Sequence, residues 1–162
     1  MHRLATLYDN FLNLILFLLM AGMVVIISSQ VWYRFVLNDP LSWSEELGRY
    51  MFVWISFIGA AVGVRYRVHL GVDLLEKMVT PRAYRYLAVL VSLIVQIFLV
   101  IVVYQGWDIL KVVHFQKSAS MGIPMTYPYA AVPVGALLML INSLRVSWAI
   151  LKEPPKETEA AS

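Results

Sequence analysis

The sequence predicts an all-α integral membrane protein with four transmembrane helices. A run of about 20 apolar residues spans the hydrocarbon core of a bilayer, and backbone polar groups in lipid are satisfied by helical hydrogen bonds. The 162-residue chain is 60% hydrophobic and 14% charged. We expect one four-helix transmembrane domain over residues 1–150 and a disordered polar cytoplasmic tail over 151–162. Four stretches contain no Asp, Glu, Lys or Arg: residues 10–33, 50–64, 86–107 and 118–144.

The basic residues are distributed unevenly between the two sides of these predicted spans. Nine of the 13 Lys and Arg residues lie before the first span, between the second and third, or after the fourth. The positive-inside rule therefore predicts that both the N and C termini are cytoplasmic. Because topology accounts for the net charge of +3, we expect membrane lipid and no nucleic acid among the partners. The four basic residues of the other side are Arg34, Arg49, Lys111 and Lys117.

The first half of the chain is divided by its turn and capping signals. The first span is predicted over residues 10–36. Ser42 and Glu45 have the spacing of a capping box, which predicts a second helix from Ser42 to about residue 64. In the connection that follows, apolar residues recur at helical spacing among charged ones. This pattern predicts a short amphipathic cytoplasmic helix between spans two and three.

The second half begins with the residue types of a helix N-terminus. Thr80 and Pro81 predict an N-cap and a first helical position, so we expect the third span to start there and to end near Trp107. Gly122 and Pro124 favour an irregular segment after it. The fourth span is predicted from about residue 127 to residue 150.

One ionisable cluster, formed by Glu45, Glu46 and Arg49, falls close to a span. The 15 uncharged residues that follow cover only ~22 Å as a helix, whereas the hydrocarbon core is roughly 30 Å thick. Arg49 and Glu46 should therefore be drawn into the membrane boundary, where charged groups tend to pair. The cluster is interpreted either as a substrate or ion site or as an internal or inter-subunit ion pair. We favour the pair because the interiors of the other three spans carry no ionisable residue.

Small and amide residues inside the spans predict contacts between helices. Gly59 and Gly63 form a GxxxG motif, and Ser56 lies one heptad before Gly63, so this stripe is interpreted as a packing face for other helices of the chain or for a partner. Gln96 lies at the middle of the third span, and its side chain is interpreted as forming a hydrogen bond between helices. A role in holding a transported substrate is the alternative for Gln96.

Several chemistries are disfavoured by the residues present. The chain contains no cysteine, which excludes thiol–quinone chemistry and disulfides. His69 and His114 are predicted on opposite sides of the membrane, so they cannot ligate one haem. No phosphate-binding motif is present, and ATP hydrolysis by this chain is not supported.

Two groups of motifs resemble those of the DctQ-type small membrane subunit of tripartite ATP-independent periplasmic (TRAP) transporters. The resemblance covers about residues 12–148. The first group is Trp43-Ser44-Glu45-Glu46-Leu47-Gly48-Arg49-Tyr50, Trp54, Phe57-Ile58-Gly59-Ala60, Arg65 and His69-Leu70-Gly71-Val72-Asp73. The second group is Gly122-Ile123-Pro124, Tyr127, Pro133-Val134-Gly135 and Met139.

The resemblance implies a non-catalytic subunit of a bacterial inner membrane, with no cofactor in this chain. It would scaffold a large multi-span permease subunit, which carries the substrate and sodium sites. It would also help a periplasmic solute-binding protein to dock, for uptake of an organic acid anion such as a C4-dicarboxylate or a sialic acid. The candidate partner-interface or structural residues are Trp43, Glu45, Glu46, Arg49, Ser56, Gly59, Gly63, His69, Gln96, Gly122, Pro124, Tyr127, Pro133 and Gly135.

Two other classes of function stay open at this point. One is a self-sufficient small four-helix transporter, which is weakened because the first span lacks the carboxylate that small multidrug exporters carry there. The other is a membrane enzyme or haem subunit. Homo-oligomerisation through the GxxxG face is a further possibility, although hetero-assembly fits the resemblance better.

Overall fold

The computed structural model describes residues 2–65 and 80–152 of the chain. Within these ranges the four predicted spans are confirmed, because four helical segments are long and apolar enough to cross a membrane. The only strand-type pairing in the described part is an isolated bridge between Lys117 and Pro124. The helices are α1 (His2–Phe35), α2 (Ser42–Arg65), α3 (Pro81–Val113), the short α4 (Thr126–Tyr129) and α5 (Ala131–Lys152).

The helix ends differ from the predicted ones where a helix continues beyond its charge-free core. The third helix begins at Pro81 as predicted, and the side chain of Thr80 accepts a hydrogen bond from the N–H of Ala83. It ends at Val113, six residues beyond the predicted end at Trp107. Lys111 and Asp108 lie one turn apart in this extension, with an Nζ–Oδ1 distance of 2.6 Å. A charge-free run therefore marks the apolar part of this helix but not its end.

Two predictions fall wholly or mostly outside the described residues. The amphipathic cytoplasmic helix belongs to residues 66–79, and most of the predicted disordered tail belongs to residues 153–162. The tail prediction is wrong at Leu151 and Lys152, which form the last residues of α5. These two residues remain helical because nothing in the sequence breaks the helix before Pro154.

The four long helices are arranged in a row rather than in a closed bundle. Helix α2 packs against α1 on one side and α5 on the other, and α5 also packs against α3. Among the described residues, no close backbone contact joins α1 to α3, α1 to α5 or α2 to α3. Long helices that follow one another in the chain run in opposite directions, so the neighbours α2 and α5 run parallel to each other. Large apolar side chains of α1 and α3, such as Phe17 and Phe98, are therefore more than 60% exposed.

Small residues bring the central helices of the row close together. Ala61 of α2 and Ala136 of α5 are fully buried. A Cβ atom added to Gly135 would lie only 2.5 Å from the Cβ atom of Phe57, so α2 and α5 can approach this closely only with glycine there. Apolar burial gives little drive for association in lipid, and close backbone approach through small residues compensates for this.

A polar contact joins α3 to α5 in the apolar interior, as predicted for Gln96. Its Nε2 atom donates to Ser147 Oγ at 2.9 Å and lies 3.3 Å from Ser143 Oγ. The interpretation that Gln96 forms a hydrogen bond between helices is confirmed, since both acceptors belong to α5.

Replacing Gln96 with leucine should reduce stability only slightly. Interhelical hydrogen bonds in membranes contribute about 1 kcal/mol or less, and leucine keeps most of the side-chain volume. The free energy of unfolding in mixed micelles should fall by about that amount. A loss several times larger would show that Gln96 has a further structural role.

Candidate functional site

At one end of the row, residues 114–125 fold back as a short hairpin between α3 and α4. The N–H of Ser118 donates to the carbonyl of Ile123 at 2.8 Å, and the N–H of Met125 donates to the carbonyl of Gln116 at 2.9 Å. Gly122 has a φ of +66°, a left-handed conformation that glycine adopts without steric cost. The glycine singled out in the sequence therefore turns the hairpin. We call this end of the row the hairpin end.

The hairpin is held by the carboxylate of Glu46 in α2. Three successive backbone N–H groups donate to it: Ala119 to Oε1 at 3.2 Å, and Ser120 and Met121 to Oε2 at 2.9 Å and 3.1 Å. The Tyr50 hydroxyl, one helical turn along α2, donates to Oε1 as well. Glu46 is only 5% exposed, so its charge is stabilised by these four donors instead of by water.

The intramolecular Glu46–Arg49 ion pair predicted from the sequence is wrong. In the described part of the chain, the Glu46 carboxylate bonds to the hairpin and Tyr50, and Arg49 is exposed with no carboxylate within ion-pair distance. Helical spacing permits the pair, but the hairpin amides provide donors that do not need a flexible side chain to be ordered. The inter-subunit alternative for Arg49 stays a prediction.

Glu45 points to a different neighbour from Glu46. Its Oε1 atom lies 3.3 Å from Nε2 of Gln30 and 3.9 Å from Nη1 of Arg34, both on α1. The predicted capping box is not formed, because this carboxylate faces α1 instead of returning to the backbone at Ser42. These side chains are exposed, so the contact adds little to the α1–α2 packing.

Further contacts connect α2 to the segment between the hairpin and α5. Trp54 Nε1 donates to the carbonyl of Tyr127 at 3.2 Å, and the Tyr50 hydroxyl lies 3.3 Å from the sulfur of Met125. Pro124 takes part in the bridge with Lys117 that closes the hairpin. The two sequence motifs of the resemblance, around Trp43–Tyr50 and Gly122–Tyr127, are thus brought together in space.

The GxxxG stripe does not form a close helix contact within the described part of the chain. A Cβ atom at Gly59 would meet only Leu16 Cδ1 at 3.9 Å, and one at Gly63 would meet nothing within 4 Å. Ser56 is exposed, and its hydroxyl donates to the carbonyl of Phe52 in its own helix. Gly63 therefore has no close helix contact among the described residues, and the role of this stripe as a packing face toward a partner stays a prediction.

The remaining candidates have separate locations. Trp43 is 42% exposed at the start of α2. Pro133 and Gly135 are buried in α5, where Pro133 packs against Gly106 of α3. His69 lies outside the described residues.

The opposite end of the row contains a charged network that the sequence interpretation missed. Arg145 of α5 makes a two-pronged contact with Asp9 of α1, at 2.9 Å and 3.3 Å. Arg65 of α2 lies 3.1 Å from the same carboxylate. Asn142, almost fully buried, donates to the carbonyl of Ala61 at 2.7 Å. We call this end the arginine end.

The missed network had a signal in the sequence. Asp9, Arg65 and Arg145 are each the first charged residue beyond a charge-free run. Because α1 runs opposite to α2 and α5, the start of α1 and the ends of α2 and α5 fall at the same depth, so opposite charges are placed where they can pair. Asn142 is an amide within an apolar run, as Gln96 is, so a signal for it was present in the sequence as well.

The clusters around Glu46 and Asp9 each hold separate parts of the chain together. At the hairpin end a carboxylate orders a loop, and at the arginine end a carboxylate joins three helices. Both clusters bind parts of the chain to each other. They support a role in architecture.

Comparison with known proteins places the chain in a family. Residues 23–153 match the family of tripartite ATP-independent periplasmic transporters, DctQ component. The chain belongs to this DctQ family. The resemblance seen in the motifs is therefore confirmed, and this DctQ-type small permease is a multi-pass component of a TRAP transporter in the bacterial inner membrane.

Individual relatives cover nearly all of the chain. It is 24% identical to the sialic acid TRAP transporter small permease protein SiaQ of Vibrio cholerae, over 89% of this chain and 83% of that protein. It is 25% identical to the C4-dicarboxylate TRAP transporter small permease protein DctQ of the same organism, over 92% of this chain and 75% of that protein. The sialic acid TRAP transporter permease protein SiaT of Haemophilus influenzae is 28% identical over 85% of this chain, which spans only 22% of SiaT.

Proposed function

We propose that this DctQ-type small permease is a non-catalytic scaffold subunit. It pairs with a large multi-span permease subunit and helps a periplasmic solute-binding protein to dock for sodium-coupled uptake of an organic acid anion. The observation that carries the proposal is the open row of helices. In this row α1 and α3 each pack along their backbone against one long helix and expose broad apolar faces, while the ionic clusters at both ends bond within the chain.

The orientation proposed for the subunit follows from its basic residues. The arginine end belongs to the side with nine Lys and Arg residues, and the hairpin end to the side with four. By the positive-inside rule the arginine end and both termini are cytoplasmic, and the hairpin is periplasmic. This orientation puts the hairpin on the side from which a periplasmic binding protein would approach.

The relatives support a large partner. SiaT is named as a permease protein and contains a segment similar to 85% of this chain within a protein several times longer. A subunit that occurs in a relative as part of one longer permease chain is well suited to permanent association with a separate large permease. In this proposal the sodium and substrate sites lie in the large subunit, and this chain holds no cofactor.

The substrate class is proposed from the relatives' names. SiaQ is named for sialic acid and the Vibrio DctQ for C4-dicarboxylates. Both are organic acid anions, so we propose this class for the transporter as a whole. Since similar small permeases are named for different anions, the choice of anion is assigned to the other subunits.

Leucine at Gly59 or Gly63 should weaken recovery of the large subunit without unfolding this chain. An added Cβ atom meets nothing within 4 Å at Gly63 and only Leu16 Cδ1 at 3.9 Å at Gly59, so a larger side chain, at Gly63 above all, should interfere mainly with a partner. Co-purification of the tagged variants with the large permease should fall several-fold, and alanine at Gly63 should have a smaller effect. Unchanged thermal unfolding of the isolated chain serves as the control.

Reconstitution separates the scaffold from a self-sufficient transporter. Proteoliposomes with this chain alone should show no uptake of radiolabelled sialic acid or succinate under a sodium gradient. Uptake should require both the large permease and the binding protein. Gradient-dependent accumulation by the small permease alone would overturn the proposal, and so would full co-purification and uptake by both leucine variants.

A further inference from the structure

We propose that Glu46 is a positioning residue, whose buried carboxylate sets the shape of a hairpin against which the solute-binding protein docks. The inference rests on the proposed function, and in particular on the periplasmic location of the hairpin end. It assigns the docking contribution of this subunit to residues 114–125.

The geometry at Glu46 differs from an ordinary helix cap or surface ion pair. The three donor N–H groups belong to consecutive residues, 119–121, that are 73 to 75 positions away in the sequence. Side chains of Ala119 and Ser120 are exposed while their amides face the carboxylate. The turn of the hairpin therefore wraps its backbone around an anion supplied by α2.

A carboxylate is the side chain that suits this position. Each carboxylate oxygen accepts two hydrogen bonds. Oε1 accepts from the Tyr50 hydroxyl and the Ala119 N–H, and Oε2 accepts from the N–H groups of Ser120 and Met121. Glutamine would replace one oxygen with an NH₂ group, which cannot accept from the two donors that the replaced oxygen held. Without the carboxylate these amide donors lose their acceptor, and the hairpin keeps only weaker contacts to α2, such as that of the Tyr50 hydroxyl with the Met125 sulfur.

The face that the hairpin presents is suited to a protein partner. Phe115 is 87% exposed. Lys117 on the hairpin and Arg49 on α2 are exposed and have no ion-pair partner among the described residues. Aromatic and Arg side chains are enriched where protein surfaces meet. An acidic surface of the binding protein, with an apolar patch beside it, complements this face.

The lipid bilayer is a poorer explanation for the same face. The hairpin follows the last residue of α3, and residues 116–120 are polar or small. A segment built to contact acyl chains would carry apolar side chains instead. The large permease is the other protein that could cover it, and the experiment separates the two.

The first measurement tests the positioning role directly. Trypsin cleavage after Lys117 should be at least tenfold faster in Glu46→Gln than in the parent chain, because the released hairpin can enter the protease. The variant Asp39→Asn removes an exposed carboxylate on the same side and should leave the cleavage rate unchanged. Equal rates in Glu46→Gln and the parent would overturn the positioning role.

The second measurement tests docking. Uptake by the complete transporter in proteoliposomes is measured against the concentration of its binding protein, loaded with radiolabelled sialic acid or succinate according to a thermal-shift screen. Glu46→Gln should raise the half-saturating concentration at least fivefold and keep the maximal rate within twofold. A structural role alone would lower the maximal rate and the yield of complex instead, and that result would overturn the inference.

Two surface variants keep the test decisive if Glu46→Gln does not fold. Phe115→Ala and Lys117→Glu leave the Glu46 contacts in place and should also raise the half-saturating concentration. If both leave it unchanged, or reduce only the recovery of the large permease, the inference is wrong. The proposed function fails separately, if uptake by the parent transporter does not need the binding protein or the large permease.

Discussion

Alanine at Gly135 should lower the stability of this DctQ-type small permease by about 1–3 kcal/mol, in the range for overpacked interiors. The added Cβ atom would lie 2.5 Å from Phe57 Cβ and 3.0 Å from Phe57 Cδ1. Because a Cβ atom is fixed to its backbone, rotation of the Phe57 side chain cannot relieve the clash. Helices α2 and α5 would have to move apart, which weakens the centre of the row. The measurement is the free energy of unfolding in mixed micelles.

Glycine positions elsewhere in the chain provide matched controls. Alanine at Gly63 meets nothing within 4 Å, and alanine at Gly22 meets only the terminal methyl of Met51 at 2.9 Å. Since alanine favours a helix over glycine by about 1 kcal/mol, Gly63→Ala should be neutral or slightly stabilising. Equal effects of alanine at Gly135 and Gly63 would contradict the proposed closeness of α2 and α5.

Removing the Asp9 carboxylate should have the second large effect on stability, because this carboxylate pairs with Arg145 of α5 and with Arg65 of α2. A double-mutant cycle with Asp9→Ala and Arg145→Ala should give a coupling free energy of about 1–3 kcal/mol, typical of residues in one network. The contact is two-pronged and partly buried, with Asp9 only 20% exposed. Asp9→Ala should also loosen α1, whose close backbone packing within the described residues is against α2 alone.

The exposed pair of Asp108 and Lys111 is the control for this cycle. Its side chains are 45% and 67% exposed, and pairs of this kind contribute little. The same cycle on that pair should give a coupling energy close to zero. Similar coupling in the two cycles would mean that the network at the arginine end does not join the helices.

The sequence was sufficient for the number of membrane-spanning helices because the bilayer imposes a length and an apolar composition on each span. It also found Gln96, since an amide in an apolar run has few partners other than a neighbouring helix. Motif resemblance pointed to Gly122 and Gly135. The structure supplies physical reasons for both, a left-handed turn at one and the approach of Phe57 at the other.

Contacts that depend on how helices are arranged could not be predicted in the same way. Helical spacing alone favoured a Glu46–Arg49 pair, but the partners of Glu46 come from a loop more than 70 residues away. The GxxxG spacing identified a smooth helix face without saying what covers it. Position along one helix does not reveal which other segment faces a side chain, and for that reason the two clusters were identified only in the structure.

The arrangement of the helices in a line has a consequence for assembly. Four helices packed in a square form four helix–helix interfaces. Four helices in a line form three, and the helix at each end takes part in only one. A square arrangement would have to open before another helix could enter its interior. A line can accept a further helix at either end or along a whole side while its own interfaces stay intact. This subunit can therefore gain neighbours without giving up any that it already has.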